Sequence, residues 1–155
     1  MATSPVLYEN QFWAQREPAD VNSIARSSPN GQRVARVALP LVSIVDDDDS
    51  VRKSLRRLLK SAGLRVEAFA SAEDFLNFGS HETACLILDL RLTGISGLDL
   101  QRQLAAENNG VSIIFVSAHD EQEARAQAMQ AGAIAFLGKP FNDKILLDVV
   151  HSALK

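Results

Sequence analysis

A regular alternation of short apolar runs with amphipathic segments constrains this chain more than any other feature. Five apolar runs have the length of a β-strand, and they lie at residues 41–45, 64–69, 84–88, 111–116 and 133–137. A segment with helical periodicity follows each run. Because these runs are mostly apolar and do not, for the most part, alternate with polar residues, both faces of their strands are expected to be buried. The pattern therefore predicts an α/β fold, in which helices cover a parallel sheet on both faces.

Start and stop signals delimit the predicted helices, which are residues 51–59, 72–78, 98–106, 121–130 and a last helix running from Asn142 to residue 154. Asp48 or Asp49 can cap the first helix, Ser71 the second and Asn142 the last. Gly63 is a stop signal for the first helix. Five strand–helix pairs have the size of a five-stranded doubly wound sheet, whose ligands bind beyond the carboxyl ends of the strands.

Residues 1–38 differ from the rest of the 155-residue chain. They contain prolines and turn-forming residues without a sustained period, which predicts a flexible N-terminal extension before a single domain at 39–155. Two interpretations of Tyr8, Phe12 and Trp13 stay open: a short docking motif, or aromatic residues in an unstructured leader.

Composition excludes several classes of protein. The net charge of −3 argues against a chain that binds nucleic acid through phosphate contacts. The single cysteine, Cys85, can form neither an internal disulfide nor a paired-cysteine metal site. No apolar run reaches the ~20 residues of a membrane span, and no signal peptide is evident. A cytoplasmic protein without membrane contact is the expectation.

Carboxylates follow the first and third predicted strands. Asp46 and Asp47 follow the first strand, and Asp89 follows the third. Two carboxylates about 4 Å apart repel by about 4 kcal/mol at an effective dielectric constant near 20. Mg²⁺ would relieve this repulsion, and Asp89 would also be a nucleophile that can form an acyl phosphate. The alternative is a solvated acidic turn.

A hydroxyl and an ammonium group follow the fourth and fifth strands. Ser117 can donate to an anionic oxygen, and Lys139 can bind a phosphoryl oxygen, although a strand-end serine and a simple salt bridge are ordinary alternatives. A cation site, a carboxylate nucleophile, a hydroxyl and an ammonium are together the groups needed to receive and hold a phosphoryl group.

The ordered motifs Val-Asp-Asp-Asp (45–48), Leu-Ile-Leu-Asp (86–89), Val-Ser-Ala (116–118) and Lys-Pro-Phe (139–141) resemble the receiver domain of two-component response regulators, most closely the FixJ-type branch. The resemblance covers residues 39–155. It implies a flavodoxin-like (βα)5 fold with strand order 2-1-3-4-5. It also implies a phosphoryl-accepting switch, rather than an enzyme, that loses its phosphoryl group slowly by its own hydrolysis.

The resemblance assigns roles residue by residue. Asp89 is the phospho-acceptor, and Ser117 and Lys139 bind the phosphoryl oxygens. Asp47 binds Mg²⁺ directly, Asp46 binds it through water, and the backbone carbonyl of Arg91 supplies a further ligand. The implied phosphodonor is a sensor histidine kinase or a phosphotransfer protein.

The output surface in this family is formed by the fourth helix, the fifth strand and the fifth helix, which is also a homodimer surface. Ser117 and Phe136 match the switch positions, although simple core packing accounts equally well for Phe136. Thr93 stands where the family usually has a proline. No DNA-binding motif follows residue 155, so a stand-alone receiver and part of a transcription regulator both stay open.

Two functions from other classes stay open as alternatives. A Mg²⁺-dependent phosphohydrolase usually needs an acidic residue two positions after its nucleophile, where this chain has Arg91. A receiver-like interaction module that is never phosphorylated would not need the complete set of reactive groups.

Overall fold

The computed structural model describes residues 39–119 and 121–155, in which strands and helices alternate strictly. The strands are β1 (Leu41–Val45), β2 (Arg65–Phe69), β3 (Thr83–Asp89), β4 (Ser112–Ser117) and β5 (Ala135–Gly138). The helices are α1 (Asp49–Ser61), α2 (Ala72–Phe78), α3 (Gly97–Ala106), α4 (Gln122–Gln130) and α5 (Asp143–Ala153). The predicted flexible extension at 1–38 lies outside the described residues.

The strands form one parallel sheet in the order β2-β1-β3-β4-β5, which confirms the predicted fold class and topology. Val45 of β1 pairs with Leu88 of β3, and Ser117 of β4 pairs with Gly138 of β5. Since all the strands run in the same direction, their carboxyl ends meet at one edge of the sheet. The residues that follow β1, β3, β4 and β5 therefore lie along a common rim.

Side-chain caps determine where several helices begin. Helix α1 begins at Asp49, earlier than predicted, because the Asp48 carboxylate accepts hydrogen bonds from the backbone N–H groups of Ser50 and Val51. Ser71 and Asn142 cap α2 and α5 as predicted. Each capping side chain satisfies a backbone donor that has no partner within its helix.

Strand β5 begins at Ala135, two residues later than predicted. The backbone N–H of Ala133 donates to the Ala128 carbonyl, so this residue still completes the end of α4. The next N–H, from Ile134, is the first to reach β4, where it donates to the Ile113 carbonyl. An apolar run can thus include the end of a helix, which periodicity does not separate from the strand.

Two apolar cores flank the sheet. Helices α1 and α5 cover one face with Leu55, Leu59, Leu146 and Val150, whereas α2, α3 and α4 cover the other face. The buried Cys85 belongs to the first core, and burial raises the pKa of its thiol to about 12, so the thiol stays protonated near neutral pH. In the described part of the chain, no helix is long and apolar enough to cross a membrane.

Candidate functional site

Three carboxylates converge at the carboxyl ends of β1 and β3. Asp46 follows Val45, Asp89 follows Leu88, and the pairing of these two strand residues places the aspartates side by side. One oxygen from each of Asp46, Asp47 and Asp89 lies within 4.8 Å of the others. Asp46 and Asp89 are buried, whereas Asp47 is exposed to solvent. These three residues, here called the acidic cluster, lie together at the rim of the sheet.

Lys139 brings a positive charge into the acidic cluster from the end of β5. Its backbone N–H donates to the Ser117 carbonyl at 2.8 Å, and the Lys139–Pro140 peptide bond is cis. The ammonium Nζ donates to Asp46 Oδ2 at 2.8 Å and lies 3.6 Å from Asp89 Oδ1. One cation therefore contacts two of the three carboxylates and leaves the cluster with excess negative charge.

Asp46 is held more tightly than Asp89. Asp46 Oδ1 accepts from the backbone N–H of Asp48 at 2.9 Å, while its Oδ2 accepts from Lys139. The Arg52 guanidinium donates to the Asp46 carbonyl at 2.7 Å. Asp89, in contrast, accepts a long hydrogen bond of 3.4 Å from the backbone N–H of Arg91. Asp46 is thus the more constrained of the two buried carboxylates, and Asp89 is the less constrained.

The environment of Asp89 disfavours its ionised form. Burial raises the pKa of Asp89 to about 6, and the neighbouring Asp46 charge adds to this shift, although Lys139 opposes it. Burial acts to lower the pKa of Lys139, but its hydrogen bond to Asp46 and the charges of Asp46 and Asp89 raise it overall. At neutral pH the site therefore holds an ionised Asp89 at an energetic cost.

The donor set fits a hard divalent cation. All the side-chain donors of the acidic cluster are carboxylate oxygens, which are the ligands that Mg²⁺ prefers. Burial is the main cause of the raised pKa of Asp89, and a cation bound in the cluster would offset the repulsion from Asp46 that adds to it. The exposed position of Asp47 leaves room for the water ligands that Mg²⁺ usually retains.

Ser117 lies at the same rim, at the end of β4, and is buried. Its hydroxyl donates to the His119 carbonyl at 3.0 Å and accepts from the His119 backbone N–H at 3.2 Å. Within the described residues, this hydroxyl is therefore engaged locally and not with the acidic cluster. His119 itself is exposed, as are His81 and His151.

Phe136 lies on β5 and belongs to the core that α2, α3 and α4 cover. Its ring stacks on Phe115 at a centroid distance of 6.0 Å, and the Arg125 guanidinium lies 5.7 Å from its centroid. The residue is only 8% exposed. This inward position is compatible with both interpretations of Phe136, a switch residue and simple core packing.

Sequence reasoning missed several polar partners of the site. Arg52 supports the Asp46 backbone, and Glu121 forms an ion pair with Arg91 through two hydrogen bonds of 2.6 and 2.7 Å. Arg52 lies on the first helix one turn after Asp48, which is a usable signal for a contact with the β1 end. Glu121 is 30 residues from Arg91 and carries no such signal.

The comparison with protein families decides the assignment. A family model described as the response regulator receiver domain matches residues 42–151, which include the acidic cluster and Lys139. This chain belongs to the response regulator receiver domain family. Nodulation protein W of Bradyrhizobium diazoefficiens is 46% identical over 114 residues, which are 73% of this chain and 50% of that protein.

Solved structures of receiver domains agree with the fold. The response regulator StyR is 48% identical, with a TM-score of 0.71 over 76% of this chain and 60% of that chain. FixJ-N is 34% identical, with a TM-score of 0.69 over 76% of this chain and 94% of that chain. The receiver domain therefore resembles those of FixJ-type regulators. The chain spans about half the length of the curated relatives it matches.

Proposed function

We propose that this receiver domain accepts a phosphoryl group on Asp89 from a phosphohistidine of a sensor histidine kinase or phosphotransfer protein. The observation that carries the proposal is the convergence of the acidic cluster with the Lys139 ammonium, 3.6 Å from Asp89 Oδ1. Of the two buried carboxylates in the cluster, Asp89 accepts one long hydrogen bond of 3.4 Å, whereas Asp46 accepts two shorter ones. Asp89 can therefore become a nucleophile without breaking the hydrogen bonds that hold Asp46 and Lys139.

In the transfer step, an Asp89 carboxylate oxygen attacks phosphorus in line with the scissile bond. The new O–P bond forms an aspartyl phosphate as the P–N bond of phosphohistidine breaks, and the donor imidazole leaves with the bonding electron pair and takes a proton from water. The Lys139 ammonium and the Ser117 hydroxyl hold the phosphoryl oxygens. The donor is consumed stoichiometrically, so we propose a phospho-acceptor switch and not an enzyme that turns over.

The acidic cluster and one backbone carbonyl would hold the metal. Mg²⁺ would be bound by Asp47 and Asp89, by the backbone carbonyl of Arg91, and by Asp46 through water. When bound, Mg²⁺ supplies positive charge that offsets the negative charge of the phosphoryl oxygens. Asp46 also keeps Lys139 at the site through their 2.8 Å hydrogen bond, so its loss would displace the ammonium as well.

The phosphorylated state is read out at a surface distant from Asp89. Recruiting the Ser117 hydroxyl to a phosphoryl oxygen alters the end of β4, which leads into α4. We propose that this shift repositions Phe136 and changes the surface of α4, β5 and α5, where an output partner or a second copy binds. Hydrolysis of the aspartyl phosphate resets the switch. The proposed organisation is an extension at 1–38 followed by a cytoplasmic receiver at 39–155.

Intact mass spectrometry after incubation with Mg²⁺ and acetyl phosphate tests this function. The wild-type chain is expected to gain one phosphoryl group, and EDTA or the Asp89→Asn substitution should abolish the gain. Asp99→Asn, which removes an exposed carboxylate on α3, is the matched control and should still gain the group. Continuous release of phosphate from small esters would instead indicate a phosphohydrolase, and an unchanged mass would indicate an unphosphorylated interaction module.

A further inference from the structure

An ion pair joins the two loops that flank the site. Arg91, two residues after Asp89 on the β3–α3 loop, donates from Nε to Glu121 Oε2 at 2.6 Å and from Nη2 to Glu121 Oε1 at 2.7 Å. Glu121 is the residue immediately before α4. The two parallel hydrogen bonds fix both the distance and the relative orientation of the loops, which a single contact would not do.

The β4–α4 loop must change for Ser117 to serve the reaction. The Ser117 hydroxyl donates its only proton to the His119 carbonyl, so this bond has to break before the hydroxyl can donate to a phosphoryl oxygen. His119 lies only two residues before Glu121. A restraint on Glu121 therefore acts on the same short segment as His119, whose carbonyl the Ser117 hydroxyl has to release.

The structure has space for such a shift. A cleft of about 280 Å³ lies beside the ion pair, with Leu90, Leu92, Leu98 and Ala124 among its lining residues. Its walls come from the β3–α3 loop and from the beginnings of α3 and α4. The Arg91–Glu121 hydrogen bonds connect the β3–α3 loop to the residue before α4 at the edge of this cleft.

We propose that the Arg91–Glu121 ion pair, here called the loop clamp, restrains the β4–α4 loop in the unphosphorylated arrangement and so opposes the switch. This inference rests on the proposed function, because it assumes that Ser117 binds the phosphoryl group on Asp89. Breaking the clamp should shift the equilibrium towards the phosphoryl-bound arrangement. An exposed ion pair of this geometry corresponds to about a two- to five-fold change in an equilibrium constant.

The test is the affinity for beryllofluoride, a mimic of the phosphoryl group, in the presence of Mg²⁺. We would follow it by NMR titration of the Ser117 and His119 amide signals in Glu121→Gln, Arg91→Gln and the double variant. Arg91→Gln retains the backbone carbonyl assigned to the metal. If the clamp restrains the loop, both single variants should bind beryllofluoride about two- to five-fold more tightly than the wild type. The double variant should bind it no more tightly than either single variant.

The two single variants separate the clamp from simple electrostatics. Removing the Glu121 charge should favour a bound anion and removing the Arg91 charge should disfavour it, if long-range attraction alone is at work. Opposite shifts, or no shift relative to Asp99→Asn, would overturn the clamp while leaving the phospho-acceptor function intact. A wild-type chain that binds no beryllofluoride with Mg²⁺ would instead overturn the proposed function, and the clamp with it.

Discussion

Replacing Asp89 with asparagine should stabilise the metal-free protein, and by an amount that depends on pH. The folded protein holds the pKa of Asp89 at about 6, against an ordinary value of 3.8. The folded state therefore binds more protons than the unfolded chain between these values. The contribution of Asp89 to stability is complete below about pH 4 and is lost as the pH rises through about 6. Asparagine is neutral throughout and avoids this loss.

The size of the effect follows from the shift. At pH 8 Asp89 is ionised in both the folded and the unfolded state, and a difference of about two pKa units then lowers the free energy of unfolding by about 3 kcal/mol. At pH 5 the same two pKa values lower the free energy of unfolding by about 1.5 kcal/mol. Any fixed cost of placing an amide beside Lys139 enters equally at both pH values, so the difference between them is the diagnostic quantity.

Urea denaturation of the wild type and Asp89→Asn at pH 5 and pH 8, with EDTA present, measures this difference. The stability gained by the variant should be about 1.5 kcal/mol larger at pH 8 than at pH 5. Asp99→Asn serves as the exposed control. A gain that is equal at both pH values, or larger at pH 5, would refute the view that Asp89 is ionised at a cost in this pocket.

Two further substitutions test how the rim is built. Gly97→Ala should lower stability by about 1–3 kcal/mol and slow phosphorylation, because the new Cβ would lie 2.5 Å from the Asp89 carbonyl oxygen. At Gly110 a new Cβ meets open space, so Gly110→Ala should be close to wild type in the same urea and mass assays. Thr83→Val should lower the free energy of unfolding by about 1–3 kcal/mol, because it leaves the buried Ser43 hydroxyl without its 2.7 Å partner. Adding Ser43→Ala should recover much of that loss, and additive losses of stability would contradict this pairing.

The sequence was sufficient to predict the fold and the position of the rim. Apolar runs such as 41–45 and 84–88 predict buried parallel strands, and the residue after a parallel strand must lie at the carboxyl edge. Asp46 and Asp89 could thus be placed at the same edge without coordinates. The order of the strands came from the family resemblance, since periodicity does not specify which strands are neighbours.

The polar contacts between loops could not be predicted in the same way. A salt bridge of Lys139 is one of the interpretations that the sequence allows, but its Asp46 partner lies 93 positions away and does not follow from spacing. The Arg91–Glu121 pair joins residues 30 positions apart and is not indicated at all. Such contacts depend on loop conformation and side-chain rotamers, which leave no periodic pattern in the sequence. The hydrogen bonds between Ser117 and His119 could not be predicted from the sequence for the same reason.

A crystal structure of the chain grown with Mg²⁺ and beryllofluoride tests the central claim most directly. We expect beryllium bonded to an Asp89 carboxylate oxygen, fluorines contacting Ser117 and Lys139, and Mg²⁺ bound beside Asp46 and Asp47. Beryllofluoride bound at another carboxylate, or a rim that binds neither Mg²⁺ nor beryllofluoride, would contradict the account.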